Sequence, residues 1–206
     1  TKFEEEVRKF TENRYAIACS NGTVALWVAF EAIKILKKKK IKIAVPTWSY
    51  IAPANAADYV GKLVLCDSDY KSHNIDPKKI KKDVDVICAV DMAGAPSNYN
   101  SLKKLKKIIV SDAAESIGSK YEGLKIGSNS LITTTSFHTS KIITAGEGGM
   151  IFTNNKKINK ICRLLINQGY GSGGYEKHDH VAKGLNFRMT GLQAAIGLSQ
   201  IKKLPL

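Results

Sequence analysis

IIVSDAAES at Ile108–Ser116, SLITTTSFHTSK at Ser130–Lys141 and IITAGEGGMIFTN at Ile142–Asn154 are the runs that decide how this chain is read. Asp112 follows the apolar run Ile108 to Val110, so it is expected at the carboxyl end of a buried strand, facing the crevice where α/β sheets bind their ligands. A carboxylate there is placed to keep a ring nitrogen protonated. Lys141 lies in a segment with little other charge, just beyond the strand-like run Leu131 to Phe137. Desolvation at such a place lowers a lysine toward a usable amine nucleophile.

Working outward, strands and helices alternate. Phe3, Val7 and Phe10 recur at helical spacing, and Tyr15 to Cys19 reads as a short strand. Ser20-Asn21-Gly22-Thr23 is a polar cap that opens a long helix from Val24 to about Lys38. Ile41 to Val45 is strand-like, Tyr50 to Tyr59 helical, Lys62 to Cys66 strand and Pro77 to Lys82 helical. Val84 to Val90 is strand, Asn98 to Lys107 helical and Ile108 to Ser111 strand. The pattern predicts an α/β fold with a mostly parallel sheet and helices on both faces. After Asp112 it changes: Leu131 to Phe137 and Gly149 to Thr153 are strands flanking the lysine loop, followed by a helix from Lys156 to Ile166. Gln168 to Lys183 is glycine-rich, polar and without period, which predicts a long loop. Thr190 to Lys202 predicts a final amphipathic helix, stopped by Pro205.

Composition bounds the function classes. A chain of 206 residues, 44% hydrophobic, buries a substantial core and has no apolar run long enough to span a bilayer. No charged-then-apolar leader opens at Thr1, so secretion is not expected, although the chain starts mid-pattern and an upstream segment can precede it. Cys19, Cys66, Cys88 and Cys162 are widely spaced, without metal-ligand spacing. They read as free thiols of a reducing cytoplasm, and no metal is expected. The formal charge of +14 alone suggests nucleic acid. Its distribution argues against that partner, because arginine occurs only at Arg8, Arg14, Arg163 and Arg188. The rest is lysine sprinkled over predicted helix exteriors, with no recognition-helix, zinc-finger or RNA-binding signature.

Other pieces are ambiguous singly. Gly22 and Thr23 at a helix start offer free N–H groups, a dipole end and a hydroxyl to a phosphate, yet many helices begin this way. Ser136 adds a second phosphate contact, or is an ordinary serine. Trp48 and Tyr50 follow a predicted strand end, where a ring can lie against a planar cofactor; taken singly, each is better explained as core packing. Glu115 lies three residues after Asp112, on the same side of a helical turn, or is an exposed cap residue. His138 is placed to shuttle protons, although a structural histidine is the stronger reading. Gly146-Glu147-Gly148-Gly149 supplies flexible backbone or a plain turn, and Arg188 reaches a phosphate or forms a surface ion pair. Their order settles the matter: a lysine that forms a Schiff base, with an acid for a pyridinium nitrogen, is how proteins hold pyridoxal 5'-phosphate.

The chain resembles the DegT/DnrJ/EryC1/StrS sugar aminotransferases, pyridoxal phosphate (PLP) enzymes of fold type I. The resemblance lies in SNGTVAL (20–26), VPTWSYIAPANA (45–56), NIDPKKI (74–80), SDAAES (111–116), SFHTSK (136–141), GEGGMIFTN (146–154) and NFRMTGLQAAIGLSQ (186–200). It points toward nucleotide-sugar 4-aminotransferases of the perosamine or viosamine synthase kind. It implies that Lys141 carries the cofactor and moves the proton, that Asp112 pairs with the ring nitrogen, and that Glu115 sits beside the ring oxygen. It further implies phosphate ligands at Gly22, Thr23 and Ser136, and a stacking ring at Trp48 or Tyr50. Asn186, and with it Arg188, would cross a dimer interface to the neighbouring phosphate, giving a homodimer with shared sites. The implied reaction transfers an amino group, with glutamate the expected donor, to a nucleotide-linked 4-keto-6-deoxy sugar. Retention of Lys141 separates this from related sugar dehydratases that carry histidine there. Residues 1–206 would form the PLP-binding large domain, without the relatives' N-terminal extension and small C-terminal domain. Asp91 stands where many relatives carry His, and Leu185 where many carry Tyr. The alternatives are a truncated, non-catalytic PLP-fold domain and, distantly, a basic anion- or nucleic-acid-binding module.

Overall fold

The computed structural model describes residues 1–171 and 179–204. Within them, α1 (Lys2–Thr11) leads into β1 (Tyr15–Cys19), α2 (Gly22–Lys37), β2 (Lys42–Pro46), α3 (Ile51–Val60) and β3 (Lys62–Cys66). Then come β4 (Val86–Val90), α4 (Tyr99–Lys104), β5 (Ile108–Asp112), a hairpin β6 (Lys120–Tyr121) and β7 (Leu124–Lys125), β8 (Ile132–Ser136), β9 (Gly149–Thr153), α5 (Lys156–Ile166) and α6 (Gly191–Ile201). Seven strands form one sheet in the order β1-β9-β8-β5-β4-β2-β3. Only β9 runs against the others, antiparallel to both β1 and β8.

Alternate residues of each strand feed opposite faces, as the pleat requires. Ile17, Ile43, Val45, Val86, Cys88, Val110 and Ile151 pack into one core with α2, α3 and α5. Ala44, Ile87, Ala89 and Ile109 point the other way, toward α4, and Ala16, Ala18, Met150 and Phe152 join Phe3 and Val7 of α1 and Ile201 of α6. Helices therefore cover both faces. The long helix α2 is central to the first core and buries Ala25, Leu26, Val28, Ala29, Phe30, Ala32 and Ile33.

Two predicted helices are shorter than their pattern. Pro77 to Lys82 yields only a 3₁₀ turn at Pro77–Lys79, capped by the Asp76 side chain on the Lys78 amide, with Ile80 already extended. Four lysines in six residues repel at helical spacing, so nothing extends the turn. The helix expected from Asn98 to Lys107 stops at Lys104, and Lys106 takes a left-handed φ of 55°. The hairpin β6–β7 was not expected. Its turn, Glu122-Gly123, has φ of 49° and 81°, the paired positive values of a tight two-residue hairpin loop. The Gln168–Lys183 loop is described in part, with a Tyr170–His180 bridge; its remainder and the Pro205 stop lie outside the described residues. All four cysteines are buried and free. No helix among the described residues is long and apolar enough to cross a membrane.

Candidate active site

The carboxyl ends of β2, β4, β5 and β8 open onto a cavity of about 1010 Å³. Each strand end delivers side chains to it: Thr47 and Trp48 follow β2, Asp91 follows β4, Asp112 ends β5 and Ser136 ends β8. The amino end of α2 forms another wall.

Asp112 is 6% exposed. Among the described residues its carboxyl has one hydrogen bond, from the Ala114 amide to Oδ1 at 3.1 Å. Burial pushes the acid up to about 6, with the Asp91 carboxyl reinforcing the shift and the Ala114 amide and Lys141 opposing it. Lys141 stands on the loop after β8, its amide bonded to the His138 carbonyl. Its Nζ donates to Glu115 Oε1 at 3.2 Å. Glu115 Oε2 accepts the Ala93 amide at 2.9 Å, and that amide, followed by Lys141, holds Glu115 below the usual carboxylate range. Asp112, Glu115 and Lys141 therefore share one cavity, across a turn at 114–118 rather than a helix.

The Asn21 side chain caps α2 through the Val24 amide at 2.9 Å. This leaves the amides of Gly22 and Thr23 outside the helical ladder, at the positive end of the dipole. A Cβ on Gly22 would lie 2.8 Å from Ser136 Cβ, so only glycine lets the helix start and Ser136 meet as one cradle. Two of the glycines after Lys141 serve close packing: a Cβ on Gly149 would strike the Asn21 carbonyl, and one on Gly148 would come 2.7 Å from Met189 Cε. Gly146 instead has open space beside it and supplies a left-handed φ of 79°.

His138 is on the cavity rim, with Nδ1 2.9 Å from Ser140 Oγ and Nε2 3.8 Å from Glu147. Trp48 and Tyr50 are also at the mouth, 60% and 75% exposed, which removes core packing as their explanation. The Trp48 ring tilts against His73 at 5.9 Å. Asn186 and Arg188 do not join this cavity. Asn186 bridges Asn167, and Arg188 Nη1 donates to Asn167 Oδ1 at 2.8 Å, beside a second hollow that also includes Arg163. Leu185 is exposed in the same segment. The group missing from the expected site is Asp91, buried at 1% exposure. It closes β4 as Asp112 closes β5, with Val90 opposite Asp112 in the ladder, so an acid after an apolar run was the available signal. No cluster of potential metal ligands occurs among the described residues.

A family profile described as the DegT/DnrJ/EryC1/StrS aminotransferase family matches residues 1–206. The chain belongs to that family. The GDP-perosamine synthase of Escherichia coli O157:H7 is 36% identical over 211 residues, covering 98% of this chain and 57% of the relative. The chain thus spans a little over half the length of the curated relatives it matches. Among solved structures, Helicobacter pylori PseC, an aminotransferase involved in pseudoaminic acid biosynthesis, superposes with a TM-score of 0.90 at 28% identity, covering 98% of this chain and 57% of that one. A GDP-4-keto-6-deoxymannose-3-dehydratase with bound GDP-perosamine also superposes at 0.90, with 26% identity over 99% of this chain and 60% of its own. The fold is therefore shared by transaminase and dehydratase. It is fold type I, with its mostly parallel sheet.

The family's cofactor is PLP, and the residues present fit it. The cradle between Gly22 and Ser136 exists only without a Cβ, and the buried Asp112 carboxyl has a single backbone donor in a cavity otherwise open to a ring. A pyridinium N–H supplies the partner that such a carboxylate needs.

Proposed function

We propose that this chain is the cofactor-binding part of an aminotransferase that moves an amino group from glutamate to the keto carbon of a nucleotide-linked 4-keto-6-deoxy sugar. The observation that carries this reading is the convergence of Lys141 and Asp112 on one cavity with a phosphate cradle at its wall. The dehydratase relative shares the backbone, and the retained Lys141 favours amino transfer over dehydration. The 36% identity to a GDP-perosamine synthase supports the sugar class.

Bound PLP supplies an electron sink for charge released when a proton leaves the carbon that carries the amino group. Lys141 is the amine that holds the cofactor and the base that carries that proton. Its Nζ donates to Glu115 Oε1, which would hold the amine oriented into the cavity. Asp112 keeps the ring nitrogen protonated, Gly22, Thr23 and Ser136 take the phosphate, and Trp48 or Tyr50 covers the ring. Asn186 and Arg188, outside their own cavity, are assigned to the site of a second copy, so the active form is a homodimer. Four buried free thiols accord with a cytoplasmic location.

The test is to incubate the complete enzyme, PLP, glutamate and a nucleotide-linked 4-keto-6-deoxy sugar, then read products by mass spectrometry. The expected result is a ketone replaced by a primary amine, with 2-oxoglutarate formed in equal amount. Loss of a sugar hydroxyl without gain of nitrogen would overturn the reading in favour of a dehydratase.

A further inference from the structure

Asp91 is a buried acid that the proposed chemistry does not use. Its carboxylate accepts the Ser97 amide at 2.8 Å and the Ser116 hydroxyl at 3.1 Å. The Tyr99 hydroxyl lies 3.0 Å from both of its oxygens and 2.7 Å from Ser111 Oγ. A tyrosine has one hydroxyl proton, so an ionised Asp91 takes it and Ser111 donates in turn to the Tyr99 oxygen. Ser111 and Ser116 bracket Asp112 in the chain. The backbone closes the frame: the Asp91 amide donates to the Asp112 carbonyl at 3.0 Å, and the Ala93 amide holds Glu115.

We propose that Asp91 is a positioning residue for the cofactor ring: its carboxylate anchors, from both sides, the segment that aims Asp112 at the ring nitrogen, and it adds a second negative charge beside that pair. The proposal rests on the PLP reading above and assigns to Asp91 a role separate from holding the fold. A nearby like charge makes a proton harder to remove. The groups that face Asp91 are Tyr99 from α4, Asp112 from β5 and the Cys88 thiol on its own strand; Asp112 in addition faces Lys141 and Glu115. Burial raises Asp91 itself to about 6, and its donors from Ser97, Tyr99 and Ser116 oppose that shift by favouring the charged form.

The experiment loads the complete enzyme with PLP labelled with ¹⁵N in the ring and follows the ring-nitrogen chemical shift from pH 6 to pH 10, alongside cofactor retention on dialysis. Asp91→Asn, which keeps shape and removes charge, is expected to lower the pH at which the ring loses its proton by about one unit. Tyr99→Phe keeps the charge and cuts one tether; it should leave that pH nearly unchanged and weaken retention several-fold. An Asp91→Asn enzyme whose shift profile and retention match the native enzyme overturns the proposal while leaving the PLP reading intact. Should that variant not fold, unchanged retention in Tyr99→Phe overturns it equally. A native enzyme that binds no PLP sinks both the reading and the proposal.

Discussion

Glu4 and Asp112 are both sunk carboxylates, 8% and 6% exposed, yet they are held in opposite ways. Glu4, on α1, accepts the Ala18 amide and the Arg163 guanidinium, each at 2.8 Å, and Arg163 also donates to the Ala16 carbonyl. Burial alone would raise Glu4, but Arg163, the Thr1 amino group and the Ala18 amide together outweigh it and hold the acid below its ordinary value. Asp112 has one backbone donor and is raised to about 6. A carboxylate that serves the fold finds its partners within the chain. One that serves a ligand is left short of them, and the shortage marks the site.

The largest test of this contrast is Lys141→Ala. It should abolish the visible absorbance of the PLP-loaded enzyme and lower amino transfer by about 10³-fold or more. The fold should survive, because the Lys141 side chain retains partial exposure beside a half-open Glu115.

Next is Arg163→Met, which strands Glu4. Breaking a buried pair costs about 3–5 kcal/mol. Arg163 is nearly half exposed, so solvent screening reduces the expected loss to about 2 kcal/mol in urea unfolding. Asp112→Asn should act with the opposite sign. It removes a buried charge that the chain's own groups compensate poorly, so cofactor-free protein at pH 8 should gain about 1–2 kcal/mol while its affinity for PLP falls.

The pH dependence sharpens the same point. Asp112 rises from its usual 3.8 to about 6 on folding. Its contribution to stability is therefore full below about pH 4 and is lost as pH rises through about 6. The advantage of Asp112→Asn should vanish below about pH 4. Glu4 behaves in reverse, since its lowered acid contributes above its usual 4.5 and fails as pH falls through the lowered value. Denaturation series at fixed pH values will separate the two.

The smallest expected effect is Gly22→Ala. The added methyl meets Ser136 at 2.8 Å, and PLP affinity should fall about tenfold, or about 1.4 kcal/mol, in a fluorescence titration. A loss of stability without loss of affinity would make Gly22 a packing residue instead of part of a cradle.

How much of this was legible in sequence varies with the physics. Strand ends were, because an apolar run followed by an acid announces both burial and the place where it stops; Asp112 was found this way. Asp91 was noticed only as a departure from its relatives' histidine; its network was not legible, since its partners Ser97, Tyr99 and Ser116 lie 6 to 25 residues away along the chain. Lys141 and Ser136 were legible through one short loop. The partner of Lys141 was not, because its bond to Glu115 spans 26 residues. Local charge repulsion at Lys78–Lys82 and the left-handed Lys106 cut helices that periodicity alone extended. The hairpin turn at Glu122-Gly123 was written in two residues, but its strands are only two residues each, too short to show a period.

The account stands most directly on which amine holds the cofactor. Borohydride reduction of the PLP-loaded enzyme, followed by peptide mass spectrometry, should place the phosphopyridoxyl group on Lys141. A modified peptide that contains any other lysine instead would contradict it.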